Sequence, residues 1–284
     1  MSPYNLVHCI LPNPRAHGLK GYKEVIETVK WGLEQLGHYV TYAVNEVAIN
    51  ATNIVFGAQV MPVATLRQFP DNTIIYNFEQ LRGLEFAAIR EELKYLAAEE
   101  RFRIWEYSQA NLASWHLLGC RQVKIVPVGY APLLTRITKP PQQDIDVLIY
   151  GLTGERRLQV FHALSHFGLS IIFASGFYGS TRDDLISRSK IVLNINLYQM
   201  ARIFEIVRVS YLLANRKAVV ADLDTDTSVE DDVRAGVKFV SSAQELVDAC
   251  VKLVEDESER TKLEEAGYSS IRQRDIRGII DSAL

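Results

Sequence analysis

The stretch DVLIYGLTGERR, residues 146–157, decides the fold of this 284-residue chain. Its first five residues are mostly apolar and rich in β-branched and aromatic types, which predicts a buried strand. Gly151 and Gly154 then form a turn, and Glu155 opens a segment with helical spacing. A strand that passes through a short glycine turn into a helix is the unit from which doubly wound parallel sheets are built.

Strands and helices alternate on both sides of this stretch. Between residues 22 and 36, Val25, Val29, Leu33 and Leu36 recur at spacings of three and four, which predicts an amphipathic helix. Further helices are predicted at 84–99, 109–118, 155–167, 182–188, 203–214 and 243–255. Strands are predicted at 5–11, 39–44, 53–56, 73–76, 103–107, 123–128, 146–150, 170–174, 190–195, 217–221 and 237–240.

Residues 132–144 interrupt this alternation. They contain three prolines and no long apolar period, which is typical of a linker or a domain edge. The sequence therefore predicts an α/β fold with an N-terminal Rossmann-like domain over 1–132, a linker over 133–144 and a C-terminal Rossmann-like domain over 145–284.

Composition and charge exclude several classes of function. With 31 basic and 34 acidic side chains, the net charge of −3 provides no broad positive field, so nucleic acid is not an expected partner. The three cysteines are odd in number and far apart, which favours a reducing cytoplasm over a disulfide framework or a zinc site. The N-terminus predicts a first strand and no signal peptide. No run reaches the ~18 apolar residues of a membrane span, and peripheral membrane contact stays open.

The loops after the strands are where a ligand site is expected, because open α/β sheets bind ligands at the carboxyl ends of their strands. No G-x-G-x-x-G and no G-x-x-x-x-G-K-[ST] occurs, so neither a dehydrogenase nor a P-loop NTPase is supported. The turn 151–157 offers free N–H groups and the guanidinium groups of Arg156 and Arg157, which suit a diphosphate. A surface turn with solvated arginines is the alternative.

The segment 190–222, KIVLNINLYQMARIFEIVRVSYLLANRKAVVAD, is the second candidate. Glu205 and Arg208 stand three apart at the start of a predicted helix and so share a face. The apolar surroundings would bury these charges, which favours a ligand-binding role. The alternative is an exposed helical ion pair contributing ~0.3–0.5 kcal/mol. Asp222, Asp224 and Asp226 are expected to form a solvated acidic loop, because the glycine and terminal glutamate of a calcium loop are missing.

Several stretches together resemble the GT-B glycosyltransferases, particularly their CgeB-like group of bacterial proteins. In the second half they are DVLIYGLTGERR, YGSTRDDLISRSKIVLNIN and FEIVRVSYLLANRKAVVAD, and in the first half NIVFGAQ, IIYNFEQL and VPVGYAP. The resemblance covers most of the chain. It implies two Rossmann-like domains facing a central cleft, with a nucleotide-sugar donor held mainly by the C-terminal domain and a hydroxyl acceptor mainly by the N-terminal one.

The resemblance implies roles for individual residues. Arg156 and Arg157 match the basic turn near the donor diphosphate, and Glu205 matches the acidic residue of the donor-site helix. The residues predicted to bind the donor are Gly151, Arg156, Arg157, Tyr178, Asn194, Asn196, Arg208 and Ser210. The two glutamates seven apart of the retaining pattern are not reproduced, because Leu212 stands seven residues after Glu205, so the anomeric outcome stays open.

The acceptor side is expected around two loops of the first domain. His17 follows the first strand and could take the acceptor's proton, although a loop histidine can also be merely exposed. Glu79 follows the strand TIIY and is a second candidate base, or a carboxylate at a helix N-terminus. Gly18, Lys20 and Asn77 are the further predicted acceptor-side residues, and His17, Glu79 and Glu205 the predicted catalytic ones.

The sequence thus predicts a cytoplasmic glycosyltransferase that uses a nucleotide sugar of undetermined base, no tightly bound cofactor and no metal. The rivals are a non-catalytic nucleotide- or sugar-binding module, for instance in a polysaccharide assembly, and a sugar-nucleotide epimerase. The chain is shorter than most GT-B enzymes, which predicts trimmed acceptor loops or a piece of a longer chain. The oligomeric state is not predicted.

Overall fold

The computed structural model describes residues 3–10, 20–82, 84, 88–197 and 202–284. The chain forms two compact units, one made of Met1–Ala131 with Asp275–Leu284 and the other of Pro132–Arg274. Across the described ranges, no helix combines the length and apolar character needed to cross a bilayer.

The first unit is built on a six-stranded parallel sheet with the order β2-β1-β3-β4-β5-β6. Its core includes fully buried side chains from the strands and the flanking helices, among them Val55, Ile104 and Trp115. Its strands are β1 (Pro3–His8), β2 (Tyr39–Val44), β3 (Thr52–Phe56), β4 (Ile74–Asn77), β5 (Arg103–Glu106) and β6 (Val123–Ile125). Its first helices are α1 (Lys23–Gln35), α2 (Val63–Leu66), α3 (Glu91–Ala98) and α4 (Leu112–Leu117).

The second unit is built on a five-stranded parallel sheet with the order β11-β10-β9-β7-β8. Its strands are β7 (Ile145–Tyr150), β8 (Ile171–Ala174), β9 (Ser189–Asn194), β10 (Ala218–Asp222) and β11 (Lys238–Val240). Its helices are α5 (Glu155–Ser165), α6 (Ser180–Arg188), α7 (Ile206–Ala214), α8 (Asp231–Arg234), α9 (Ala243–Glu255) and α10 (Glu257–Arg272). After β7 the chain adds β8 on one side, and it then adds β9, β10 and β11 on the other side. The strand order thus reverses between β7 and β9, which is where doubly wound sheets open a ligand crevice.

A last helix, α11 (Ile276–Ala283), returns to the first unit and packs on α1. The close approach is made by Gly32, where an added Cβ would lie 2.8 Å from the Cδ1 atom of Ile280. The amine of Lys124 also donates to the carbonyl of Ala283 at 2.9 Å. The predicted C-terminal domain over 145–284 is therefore too long, because its last ten residues complete the core of the first unit.

The segment predicted as a linker is packed against the second unit. The backbone N–H groups of Arg136 and Ile137 donate to the Oδ1 atom of Asn215 at 2.9 and 2.8 Å, and the Thr135 hydroxyl donates to the Ala214 carbonyl. These bonds place residues from Pro132 onward in the second unit. The two units therefore divide after Ala131, with no free-standing linker over 133–144.

Other predicted elements need smaller corrections. The ranges 39–44 and 243–255 are found as predicted, in β2 and α9. The predicted helix 84–99 begins too early, because residues 84, 89 and 90 are not helical and α3 begins at Glu91, while residues 85–87 lie outside the described residues. Ile89 is nevertheless buried in the core of the first unit, so its apolar spacing reflects packing of a loop. No helix was predicted from the sequence for α2, α8, α10 or α11.

Candidate functional site

The turn after β7 and the end of β9 meet at the point where the strand order of the second sheet reverses. Gly151 follows β7 with a φ of +120°, a backbone conformation that favours glycine. Gly154 then precedes α5, and Asn194 ends β9. The predicted glycine turn and the predicted asparagines thus lie at the carboxyl edge of neighbouring strands.

Arg157 is a buried cation that holds this turn in place. Its Nε and Nη2 atoms donate to the carbonyl of Ile195 at 3.0 and 2.7 Å, and its Nη1 donates to the carbonyl of Leu152 at 2.7 Å. Burial and the nearby Arg208 lower the pKa of Arg157 to about 10, against the favourable charges of Glu205 and Asp222. The guanidinium is thus fixed to the backbone on both sides of the crevice.

Arg208 lies in the first turn of α7, and its guanidinium group also lies close to Gly151. A Cβ added at Gly151 would lie 3.0 Å from the Nη1 atom of Arg157 and 3.2 Å from the Nη2 atom of Arg208. The Arg208 guanidinium also lies 5.3 Å from the ring centre of Tyr150, and its Nη1 is 3.4 Å from Oδ1 of Asn194. Two guanidinium groups therefore share one small space beside the backbone, an arrangement that an anion would stabilise.

Two buried amides lie beside these cations. Asn194 and Asn196 are 0% and 2% exposed, and the Nδ2 atoms of both find no hydrogen-bond partner among the described residues. A buried N–H donor without a partner costs free energy of ~1–3 kcal/mol. Such donors are common where a ligand supplies the missing acceptor.

Asp222 is a buried carboxylate at the carboxyl end of β10. It was expected in a solvated loop, but it ends β10 and is only 3% exposed. Its Oδ1 accepts from the backbone N–H of Asn196 at 3.0 Å, and its Oδ2 lies 2.9 Å from Nε of Arg156. Burial raises the pKa of Asp222, and the bond from Asn196 and the charge of Arg156 oppose that rise. Arg156 is therefore engaged with an aspartate at the carboxyl end of β10.

The remaining predicted donor residues lie on the same edge with different contacts. Glu205 is the residue directly before α7, so the predicted helix 203–214 begins too early. Tyr178 is half-buried, and burial raises the pKa of its hydroxyl while Arg208 and Arg182 act in the opposite direction. The hydroxyl of Ser210 donates to the carbonyl of Val207 within its own helix at 3.2 Å, which gives this side chain a helical partner.

In the first unit, Glu79 lies just after β4 and is half-buried. Its Oε1 accepts from Nε2 of Gln59 at 2.7 Å and from the hydroxyl of Tyr22 at 3.5 Å. Asn77 is buried, and its side chain bonds to the backbone of Glu79 and to Glu106. Lys20 is exposed. The predicted residues His17 and Gly18 lie outside the described residues.

Glu106 is a buried carboxylate that sequence reasoning missed. It ends β5 opposite Asn77 of β4 and is 0% exposed. Burial raises its pKa to about 7, although bonds from Trp115, Asn77, Ser108 and Asn111 favour the ionised form. A signal was available, since Glu106 follows the apolar residues Ile104 and Trp105 in a predicted strand. No composition or spacing argument, however, identifies its partners.

The two sheets, their parallel strands and their covering helices give this chain the GT-B fold, as predicted. No protein-family model matches the chain, and no curated protein sequence does. Solved structures do: AviGT4, a glycosyltransferase involved in avilamycin A biosynthesis, is 14% identical with a TM-score of 0.63, over 100% of this chain and 96% of that chain.

Two further solved structures carry a sugar nucleotide. Anabaena HepE in complex with UDP-glucose is 14% identical with a TM-score of 0.61, over 100% of both chains. T4 phage BGT in complex with its UDP-glucose substrate is 14% identical with a TM-score of 0.57, over 100% of this chain and 98% of that chain. At these identities the similarity is one of fold.

Proposed function

We propose that this chain is a glycosyltransferase that moves a sugar from a nucleoside diphosphate sugar to a hydroxyl group of an acceptor. The observation that carries the proposal is the pair of guanidinium groups, Arg157 and Arg208, that meet beside Gly151 at the reversal point of the second sheet. Their like charges oppose each other in the absence of an anion. A diphosphate would convert that repulsion into two attractive interactions.

The chemistry of transfer needs this charge. The bond between the sugar C1 and the diphosphate oxygen breaks, negative charge develops on the diphosphate, and a new bond forms between C1 and the acceptor oxygen. Donors fixed in advance around developing charge contribute most to such catalysis. Arg157 is fixed by three backbone bonds, so it is positioned for this work before any ligand arrives. Arg208 supplies the second charge, and Arg156 is held nearby by Asp222.

The free amides give the site its polar specificity. The Nδ2 groups of Asn194 and Asn196 would donate to phosphate or sugar oxygens, since each is buried and has a hydrogen atom to give. Glu205 would accept from hydroxyls of the donor sugar. On the acceptor side, His17 or Glu79 would take the proton that the acceptor hydroxyl loses.

We place the reaction in the cytoplasm, and the free cysteines support that proposal. Cys9, Cys120 and Cys250 are all buried and unpaired. Burial raises the pKa of the Cys9 and Cys250 thiols to about 12. Such thiols are inert core residues, which fits a reducing compartment.

The test begins with a thermal-shift panel of UDP-, GDP-, dTDP- and CDP-sugars. A ligand at 100 times its dissociation constant should stabilise the fold by about 2.7 kcal/mol. The sugar nucleotide that binds is then incubated with a set of p-nitrophenyl glycosides, and transfer is followed by mass spectrometry. UDP-glucose is the first probe because the HepE and BGT structures contain it.

The outcomes separate the rival functions. A glycosylated acceptor supports the proposal. Binding without consumption of the donor identifies a binding module, and conversion of the donor sugar with no acceptor present identifies an epimerase. A chain that binds none of the sugar nucleotides is not a glycosyltransferase of this kind.

A further inference from the structure

Within the part of the chain that the structure describes, every hydrogen-bond partner of the Glu106 carboxylate is a donor. Its Oε1 accepts from the backbone N–H of Ser108 and from Nδ2 of Asn111, both at 2.9 Å. Its Oε2 accepts from Nδ2 of Asn77 and from Nε1 of Trp115, both at 2.7 Å. All four donors are uncharged. Burying a carboxylate in this way is expensive, and the fold maintains it with four bonds, which calls for an explanation.

The two asparagines that hold Glu106 also hold the loop that carries Glu79. The Nδ2 of Asn77 donates to the carbonyl of Glu79 at 3.0 Å, and the Nδ2 of Asn111 donates to the same carbonyl at 2.8 Å. Each amide group thus gives one hydrogen to Glu106 and one to the Glu79 carbonyl. Glu106 and the backbone of Glu79 are therefore bridged twice.

The other ends of the same amides fix the rest of the loop. The Oδ1 of Asn77 accepts from the N–H of Glu79 at 3.1 Å. The Oδ1 of Asn111 accepts from the N–H groups of Leu81 and Arg82 at 2.7 and 3.0 Å. These backbone bonds allow only one orientation of each amide, with the NH2 group toward Glu106. The carboxylate and these backbone bonds together fix which way both asparagines face.

We propose that Glu106 is a positioning residue for the acceptor side: through Asn77 and Asn111 it fixes the loop 79–82 and so the place of the Glu79 carboxylate. The proposal rests on the proposed function, in which Glu79 meets the acceptor. It extends that function, because Glu106 is buried and bonded to uncharged partners and so acts on the acceptor only through the loop. The Gln59 bond at 2.7 Å then orients the Glu79 side chain on a fixed backbone.

The test uses the full chain with Glu106→Gln. An amide at this position must direct its NH2 group at two donors, so at least one asparagine loses its bond to residue 106 and is held less firmly against the loop. We expect hydrogen exchange of the amides of residues 79, 81 and 82 to become at least about tenfold faster. Misplacement of a reacting group by about 1 Å can cost about 100-fold, so we expect kcat/KM for the p-nitrophenyl acceptor to fall about tenfold to 100-fold. The donor Kd should stay within about twofold, since the amides and guanidinium groups of the donor site are unaltered.

Tyr76→Phe is the matched control. It also removes a buried hydrogen bond from β4, the bond from the Tyr76 hydroxyl to the carbonyl of Val126 at 2.6 Å, but it leaves Glu106 and both asparagines in place. An equal loss of acceptor kcat/KM in this variant would show that Glu106 acts through general stability, and would overturn the proposal. So would unchanged exchange, or fast exchange with unchanged acceptor kinetics, in Glu106→Gln.

Asn77→Ser is the second variant, in case Glu106→Gln does not fold. It removes one of the two bridges and should give a smaller change in the same direction in both measurements; no change in either would overturn the proposal. If the unaltered chain binds no sugar nucleotide, the proposed function fails and Glu106 loses its acceptor role. The exchange measurement then still reports separately whether Glu106 holds the loop.

Discussion

The pair of guanidinium groups at Gly151 leads to different expectations for ligand affinity and for the stability of the unliganded protein. We consider Arg208→Gln, which removes one charge from the pair and leaves a shorter, uncharged polar side chain. Hydrogen bonds to charged groups contribute about 1.5–3 kcal/mol. The variant should therefore bind UDP roughly 10- to 150-fold more weakly than the unaltered chain, using 1.4 kcal/mol per factor of ten.

The unliganded protein should respond differently. The Nη1 atom of Arg208 lies 3.4 Å from Oδ1 of Asn194, and its guanidinium carbon lies 5.3 Å from the ring centre of Tyr150. Contacts of this kind contribute about 0.5–1 kcal/mol. Against them, Arg208 repels Arg157 and helps to lower its pKa. The terms nearly cancel, so the free energy of unfolding without ligand should change by less than about 1 kcal/mol.

The assay compares UDP with uridine by calorimetry. Uridine lacks the diphosphate, so its affinity for Arg208→Gln should be unchanged if the guanidinium binds phosphate. Arg188→Gln is the matched control, because Arg188 lies before β9, at the opposite end of the strand, where it pairs with Asp144. Equal weakening of UDP and uridine, or unchanged UDP affinity, would refute the reasoning from charge.

Three further predictions concern single groups. Asn194→Asp replaces a buried donor with an anion, so UDP affinity measured by calorimetry should fall at least as far as in Arg208→Gln; an unchanged affinity would mean that this amide does not meet the ligand. Burial raises the pKa of Glu106 from 4.5 to about 7, so its stabilising contribution is complete below pH ~4.5 and is lost as the pH rises through 7, about 3 kcal/mol in all. The free energy of unfolding in urea should therefore be lower at pH 8 than at pH 5 in the unaltered chain and not in Glu106→Gln. The same pH dependence in both proteins would contradict the prediction. Gly32→Ala places a Cβ 2.8 Å from Ile280 and should lower the free energy of unfolding in urea by about 1–3 kcal/mol. Gly278→Ala meets no atom within 4 Å and should be neutral or slightly stabilising in the same measurement.

Much of the fold could be predicted because the parallel strands are buried on both faces and stand out as apolar runs. The run 146–150 and the glycine turn after it were predicted as a strand and a ligand-binding turn, and the structure places them where the strand order of the second sheet reverses. The helix predicted at 84–99 shows the limit of that reasoning. The apolar spacing around Ile89 is equally compatible with a loop pressed into the core, and α3 begins only at Glu91.

The site was less predictable than the fold because the sequence does not state the partners of a charged group. Arg156 and Arg157 are neighbours with the same chemistry, yet one pairs with Asp222 and the other is buried against two carbonyls. Asp222 was predicted in a solvated acidic loop, but it is the last residue of β10 and is buried. Glu106 belongs to no recognisable motif in the sequence, and only the register between β4 and β5 places it beside Asn77.

The return of α11 to the first unit also affects how the chain can fold as it is made. Residues 1–131 leave the ribosome first, but the face of α1 around Gly32 cannot be covered until residues 276–283 have been synthesised. The second unit is complete before then, because all of its residues precede Asp275. Synthesis therefore exposes an apolar helix face for the time needed to add about 150 residues, on the order of 10–30 s at ordinary rates of translation.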